Sequence, residues 1–393
     1  MSDVTAHLKR QARDEAGRLL RWWSDNLVDT VNGGFLGEVD ADGLPVADAP
    51  KSIILNTRLL WFFSAAARAL KSDEALVLAS RASDYLHRYF IDAGAGGVYW
   101  LLDAQGRVID SKKQAYAQAF TVYALAEYYL ASHDLIALKM AEALQDMIEA
   151  RFWDSGRGGY IEALDREWRP LADPRLSEKD IDAPKTMNTH LHILEAYTSL
   201  HRAAPRQATQ ARLDRILTLF LDRFSHPQGH LRLFFDMDWT DRTAGVSYGH
   251  DIEASWLIWE AAQALDDDAL RDRCRPVVLA LAGTTLHEGL SPEGGMNYEK
   301  RFDGHFDPDG EWWEQAEALV GFVNAWHMTG EPGWLDAADR VWAYTKAQYG
   351  AGGRREWSWY AAASGREKIY TAGMWKCPYH NGRAMIELDH RLG

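Results

Sequence analysis

The sequence predicts an all-α protein, an (α/α)6 barrel in which six helix hairpins form a toroid with short β-hairpins at one end. Three observations carry that expectation. A glycine followed by aromatic or β-prone residues recurs six times, at Gly33 (GGFLGEVD), Gly96 (GGVYWLLD), Gly158 (GGYIEALD), Gly229 (GHLRLFFDMD), Gly294 (GGMNYEK) and Gly352 (GGRREWSWY). These positions lie roughly 60 to 70 residues apart, and self-similarity at such a period marks a repeat architecture. Two helical stretches follow each of these glycines, a dozen helices as six hairpins, and the units are long and divergent. An open solenoid stacks shorter, near-identical repeats between polar caps, so a closed ring of helix pairs is the better fit, with residues 1–393 forming one catalytic domain.

Taken in order, each glycine segment reads as a short strand, often followed by a turn such as DADG (40–43) or DAQG (103–106). In the first unit Ile54, Leu55, Leu59, Phe62, Phe63 and Ala66 share one apolar face at helical spacing. The pattern returns over Ala115 to Leu130, Met187 to Leu200, Ile252 to Leu265, Trp312 to Met328 and Gly382 to Leu392.

Composition bounds the function. Hydrophobic residues make up 47% and charged residues 25% of the 393, the balance of a globular protein with a substantial core. The formal charge of −14 with no basic stripe would repel a phosphate backbone, which argues against nucleic acid as a partner. The start, MSDVTAHLKRQARDEAGRLLRWW, is amphipathic and charged without the apolar run of a signal peptide or membrane span, so a cytoplasmic protein without a membrane partner is expected. Cys274 and Cys377 are too few for a disulfide framework and are expected to be reduced. Seventeen tryptophans suit the flat apolar faces of sugar rings, and equally suit helix-packed cores.

The repeat allows side chains to be read by phase, because equivalent positions in each hairpin should line the same mouth of the ring. Arg58, Tyr116, Asn188, His192, His250, Trp313 and His380 occupy that phase. Arg58 stands among apolar residues, where a charge needs a partner, and reads either as an ion-pair member or as an oxyanion partner. Tyr116 alone reads as well as a core aromatic. In KTMNTHLH, Asn188 and His192 are four apart and share a helix face, whereas His190 points elsewhere, so His192 faces the cavity and no metal pair is formed. No HExxH or comparable cluster occurs, and neither a metal nor a cofactor is expected.

In SYGHDIEASW, His250 and Glu253 are three apart at a helix start, where the carboxylate is placed to orient the imidazole and the helix N-terminus opposes its protonation. A proton carrier poised near neutrality is expected there. In EWWEQAEALVGF, Trp313 and Glu317 share a face as a stacking surface beside a hydroxyl acceptor, with Trp312 as core. In MWKCPYHNGR, Pro378 excludes regular helix through its own position, leaving His380 at a loop-to-helix junction with Trp375 upstream.

These segments carry a family resemblance. RLLWFFSAA, GGVYWLLD, KTMNTHLHILEAYT, SYGHDIEASWL, WWEQAEALVGFVNA and WKCPYHNGR, in this order from Gly33 to the C-terminus, resemble the cellobiose 2-epimerases of the N-acylglucosamine 2-epimerase superfamily. The resemblance implies an (α/α)6 barrel that interconverts glucose-type and mannose-type reducing ends without a nucleotide. It matches His250 and His380 to the acid/base pair, and His192, Asn188, Arg58 and Tyr116 to residues around the reacting end. Glu253 matches the support of the first histidine, and Trp313 and Trp375 the sugar-stacking tryptophans. Gln114 stands where a relative carries His, and the stretch from Tyr298 to Glu311 departs from the family pattern near the mouth, which leaves the acceptance of a second sugar open.

The chemistry wants these residue types. Ring opening moves a proton from the anomeric hydroxyl to the ring oxygen, a task for histidine. Deprotonation at C2 then gives an enediolate that Arg58, Tyr116 and His192 are placed to stabilise, and inversion needs carriers on both faces of C2, His250 and His380. Related readings are a mannose/glucose 2-epimerase or an aldose-ketose isomerase using the same enediolate. Other classes are an (α/α)6 glycoside hydrolase with Glu253 and Glu317 as its carboxylate pair, and a non-catalytic sugar-binding scaffold. The only partner expected is a small reducing sugar, and a monomer and a homodimer are equally compatible.

Overall fold

The computed structural model describes residues 3–177, 180–367 and 369–393. Among the described residues twelve α-helices run in order: α1 (Asp3–Leu27), α2 (Ile53–Leu70), α3 (Asp73–Tyr85), α4 (Ala115–Ser132), α5 (Leu135–Arg151), α6 (Met187–Ala203), α7 (Gln207–Leu219), α8 (Tyr248–Leu265), α9 (Asp268–Thr284), α10 (Trp312–Thr329), α11 (Pro332–Tyr349) and α12 (Tyr379–Arg391). The even-numbered helices form an inner ring in which each packs on the next and α12 closes against α2. The odd-numbered helices lie outside, and α1 packs on α12. The last glycine unit supplies a single long helix, and the N-terminal α1 is its outer partner, so the ring is closed by the two ends of the chain.

An inner helix meets a neighbour on each side and an outer helix behind, so it must be apolar or satisfied nearly all round. In α2 every residue from Ile53 to Ala66 is buried, which corrects the expectation of one apolar face there. The outer α3 does show a single stripe, Ala75, Leu78, Ala79, Ala82 and Tyr85. Local chemistry fixes where inner helices begin and end. Ser52 and Thr186 accept from the backbone N–H groups of Leu55 and Thr189, and Glu311 and Glu314 form a capping box on α10. Lys71, His133, Asp266 and Gly330 close α2, α4, α8 and α10 in the left-handed conformation.

The glycine segments are tight turns spanned by single bridges, Val28 to Phe35, Ile91 to Val98, Trp153 to Tyr160, Ser225 to Leu231 and Leu290 to Met296. Gly34 shows why glycine is needed: φ is +61°, and a Cβ there would sit 2.5 Å from the Tyr85 ring. Beyond the turns, short antiparallel strands link one unit to the next around the mouth. Lys51–Ser52 pairs with Leu101–Leu102, Lys113–Gln114 with Ala163–Leu164, and Lys185–Thr186 with Phe234–Phe235. Gly245–Ser247 pairs with Glu299–Arg301, and Val39–Asp40 with Tyr370–Ala372, so this end closes on itself as well. Buried lysines pin these strands to the preceding turns: Lys51 Nζ reaches Asp29 at 2.7 Å, Lys113 reaches Asp92 at 3.0 Å and Lys185 reaches Asp154 at 2.9 Å.

Candidate active site

The inner helices start at the hairpin end of the ring, so their first turns surround one cavity of about 390 Å³. Arg58 of α2, Tyr116 of α4, Asn188 and His192 of α6, His250 and Glu253 of α8, Trp313 of α10, Trp375, and His380 of α12 all line it. Nine of the ten side chains singled out from sequence therefore meet in one place. The tenth, Glu317, lies one turn deeper on α10 and is fully buried.

His250 and His380 both pack against one indole, their ring centroids 5.0 and 5.5 Å from that of Trp313. Each of the three imidazoles at the mouth uses Nδ1 on the protein. His250 Nδ1 lies 2.7 Å from Ser247 Oγ, His192 Nδ1 3.0 Å from Glu195 Oε2, and His380 Nδ1 2.6 Å from Glu317 Oε1. Nε2 is then the edge left for a ligand. Burial, reinforced by His192, pushes His250 down to about 3. His380 is held well below the usual range by burial and by the Arg58 and Arg383 cations. Both rings rest neutral at neutral pH, each with a basic nitrogen available, and His250 is not poised near neutrality as the sequence suggests.

Arg58 is buried, and its partners are uncharged. Nη2 donates to the Tyr116 hydroxyl at 2.7 Å and Nη1 lies 3.7 Å from Cys377 Sγ. Its guanidinium carbon sits 4.4 Å from the Phe120 ring centre and 4.6 Å from that of Tyr379, and Nε has no partner. Among the described residues no carboxylate pairs with it, which favours the second of the two sequence readings, a desolvated cation beside the cavity suited to an oxyanion. Burial raises the Tyr116 phenol, so it remains a hydroxyl donor.

Two assignments are corrected. Glu253 does not orient His250: its Oε1 accepts from Arg383 Nη2 at 2.8 Å and lies 4.0 Å from His380 Nδ1. The guanidinium draws the carboxylate inward while His250 leans on Trp313, so helical proximity does not become a contact. Glu317 is not a hydroxyl acceptor beside Trp313. Its oxygens are taken by His380, by Arg383 Nη2 at 2.7 Å and by Trp256 Nε1 at 3.0 Å. Both carboxyls are pushed up by burial, Glu253 to about 7. Glu317 does not line the cavity and both carboxyls are held by Arg383, so they are not presented as a pair across a scissile bond, which removes the hydrolase arrangement.

Of the remaining readings, His190 is core: its Nε2 accepts from Tyr160 N–H at 2.8 Å and Nδ1 faces the Thr186 carbonyl at 2.6 Å. Trp312, expected as core, is buried and also lines the cavity. Both cysteines are free and buried. Ligand atoms of Glu253, Glu317 and His380 converge within 4.8 Å, a possible metal set. Arg383 already donates to both carboxylates, so the cation of that cluster is the guanidinium and a metal does not fit.

Sequence reading missed Ser247, Glu195, Tyr379 and Arg383. Three of them stand three residues from a histidine already singled out, Ser247 before His250, Glu195 after His192 and Arg383 after His380. The i, i+3 test applied to Glu253 would have found them. Tyr298, Glu311, Trp359 and Tyr370 also line the cavity. The first two bound the stretch that departs from the family pattern, and they bring it to the mouth.

A helical toroid with paired imidazoles and a desolvated arginine at one mouth defines a carbohydrate epimerase, an enzyme of the isomerase class. The chain belongs to the N-acylglucosamine 2-epimerase (GlcNAc 2-epimerase) family, whose profile matches residues 34–384. It is 44% identical to a cellobiose 2-epimerase of Bacteroides fragilis over 97% of this chain and 98% of that one. With a cellobiose 2-epimerase of Dictyoglomus turgidum it shares 35% identity over 100% and 98%. The solved cellobiose 2-epimerase of Bacillus thermoamylovorans superimposes with a TM-score of 0.93 at 37% identity, covering 98% of this chain and 100% of the other. D-mannose isomerase (TM-score 0.84, 18% identity, 99% of each chain) and a family 76 α-mannanase of Bacteroides thetaiotaomicron (0.66, 12%, 97% and 95%) share the fold.

Proposed function

We propose that this enzyme interconverts the glucose and mannose forms of the reducing end of a β-1,4-linked disaccharide such as cellobiose. The observation that carries the reading is the pair His250 and His380, both neutral, packed on Trp313 and in one cavity with Arg58. Full-length likeness to cellobiose 2-epimerases supports the substrate class. The indoles of Trp313 and Trp375 offer faces for pyranose rings.

The reaction runs through the open-chain aldehyde. A histidine takes the O1 proton and returns a proton to the ring oxygen, breaking the C1–O5 bond. One imidazole Nε2 then removes the C2 proton, and the electron pair moves onto O1 as an enediolate. Arg58 and the Tyr116 hydroxyl hydrogen-bond that oxygen, and among the described residues no carboxylate pairs with Arg58, so its field falls on the intermediate. The imidazole on the other face, protonated at Nε2 by solvent before this step, delivers that proton to C2 and leaves it inverted, and the proton gained by the base returns to solvent. The roles of His250 and His380 exchange in the reverse direction.

The test is a panel of cellobiose, lactose, glucose and mannose in deuterated water, read by NMR for label at C2 and for product identity. The reading requires a C2 epimer of the disaccharide carrying deuterium at C2. A ketose as the main product would make the enzyme an aldose-ketose isomerase, and turnover of free hexoses alone would refute the disaccharide assignment.

A further inference from the structure

Beneath the histidines the ring axis is plugged by one side chain, Arg383 of α12, which is buried. Its Nη1 bonds Glu195 of α6 and the Tyr379 hydroxyl. Its Nη2 bonds Glu253 of α8 at 2.8 Å and Glu317 of α10 at 2.7 Å. The guanidinium is sandwiched between rings, its carbon 4.1 Å from the centre of Tyr379 and 4.6 Å from that of Trp256. One planar fork therefore ties three helices to a fourth, a geometry that a lysine ammonium cannot reproduce.

The three carboxylates it holds are those behind the histidines. Glu195 receives His192 Nδ1, Glu317 receives His380 Nδ1, and Glu253 stands 4.0 Å from His380 Nδ1. We infer that Arg383 is a positioning residue for the reaction: by bonding Glu195, Glu253 and Glu317 together it orients His192 and His380 and keeps His380 a proton acceptor. This rests on His380 carrying protons, as proposed above. Arg383 takes no part in sugar contact.

The charges around His380 set the direction of the effect. Around it stand Arg58 from α2, Tyr116 from α4, His192 from α6 with Glu195 bonded behind that ring, His250 and Glu253 from α8, Glu317 from α10, and Tyr379 and Arg383 from its own helix. Burial and the two arginines favour the neutral ring, while the carboxylates favour the charged one. Without Arg383 the carboxylates are uncompensated, and the imidazole is driven toward its protonated form, in which it cannot act as base.

The experiment uses Arg383→Gln and Arg383→Lys in the full chain. Histidine ring titrations are followed by NMR without sugar, beside the pH dependence of kcat and KM for cellobiose. Arg383→Gln is expected to raise the His380 titration by at least about one pH unit, move the acidic limb of kcat upward with it, and lower kcat at neutrality tenfold or more with KM within about twofold. Arg383→Lys keeps a cation at the axis and the fold with it, but bonds fewer carboxylates, and is expected to fall between wild type and the Gln variant in both readouts. Should Arg383→Gln not fold, the Lys variant decides alone. Wild-type titration and kcat in the folded variants would overturn the inference, as would a loss of kcat that merely follows lost thermal stability while the ring titrations stay in place. Shifted titrations in an enzyme that turns over no sugar would refute the proposed reaction and leave the role of Arg383 standing.

Discussion

Replacing Glu317 by Gln tests how the site holds its base. Three donors converge on this carboxylate, His380 Nδ1 at 2.6 Å and Arg383 Nη2 at 2.7 Å on Oε1, and Trp256 Nε1 at 3.0 Å on Oε2. An amide has a single acceptor oxygen. Turned toward the indole, it would set its NH2 against a charged guanidinium, so it turns toward His380 and Arg383 and opposes NH2 to the Trp256 N–H. One buried indole donor is then unpaired, at a cost of about 1–3 kcal/mol in stability. His380 keeps its orientation and its Nδ1–H bond, but loses the negative charge that stabilises the imidazolium formed when C2 gives up its proton. A neighbouring opposite charge is worth about 1–3 pH units, and each unit is about 1.4 kcal/mol, so kcat should fall by roughly 10- to 1,000-fold with KM little changed. The assay is C2 deuterium exchange and epimer formation from cellobiose at matched folded fraction, with ring NMR reporting the His380 tautomer. A kcat within twofold of wild type, with the Nδ1–H tautomer intact, would refute the view that Glu317 acts on His380 electrostatically.

Further outcomes follow from the same geometry. His250→Asn and His380→Asn should each lower C2 exchange by about 10²- to 10⁴-fold, the usual worth of a general acid or base, and substantial epimerisation by both single variants would end the two-carrier scheme. Ser247→Ala, which removes only a neutral partner of His250, should cost far less kcat than Glu317→Gln in the same assay. Glu162, buried with the Thr186 and Thr189 hydroxyls as partners, is raised by burial from 4.5 to about 8. A group raised on folding stabilises fully below its unfolded value and loses that contribution as pH climbs through its folded value. Wild type should therefore lose up to about 1.4 kcal/mol per pH unit relative to Glu162→Gln between pH 5 and 8, measured by denaturant unfolding; parallel curves would contradict this. Lys113→Met leaves Asp92 with Arg166, which bonds both carboxylate oxygens, and with the N–H groups of Gly94 and Ala95, so it should cost about 1–3 kcal/mol, the penalty for one lost partner of a buried polar group, seen as a lower midpoint.

Much of this was legible from sequence because repetition turns position into geometry. The six glycine turns place the first turns of the inner helices at one mouth, so Arg58, Tyr116, Asn188, His192, His250 and His380 could be assigned to a common cavity from spacing alone. The inner ring was harder: α2 is buried on every side, and periodicity cannot separate a helix buried all round from an amphipathic one with a polar back. The closure by α1 was invisible as well, since nothing in the first 27 residues repeats the glycine unit.

By itself the sequence determined the toroid, the phase that faces its mouth, and the residue types gathered there, since these follow from period and helical spacing along one chain. Tertiary structure alone decided which carboxylate serves which imidazole. Glu253 shares a helix turn with His250 yet turns to Arg383, because a guanidinium on another helix at the ring axis attracts it more strongly than a neutral neighbour does, and pairing across the ring depends on distances that no spacing within a helix encodes.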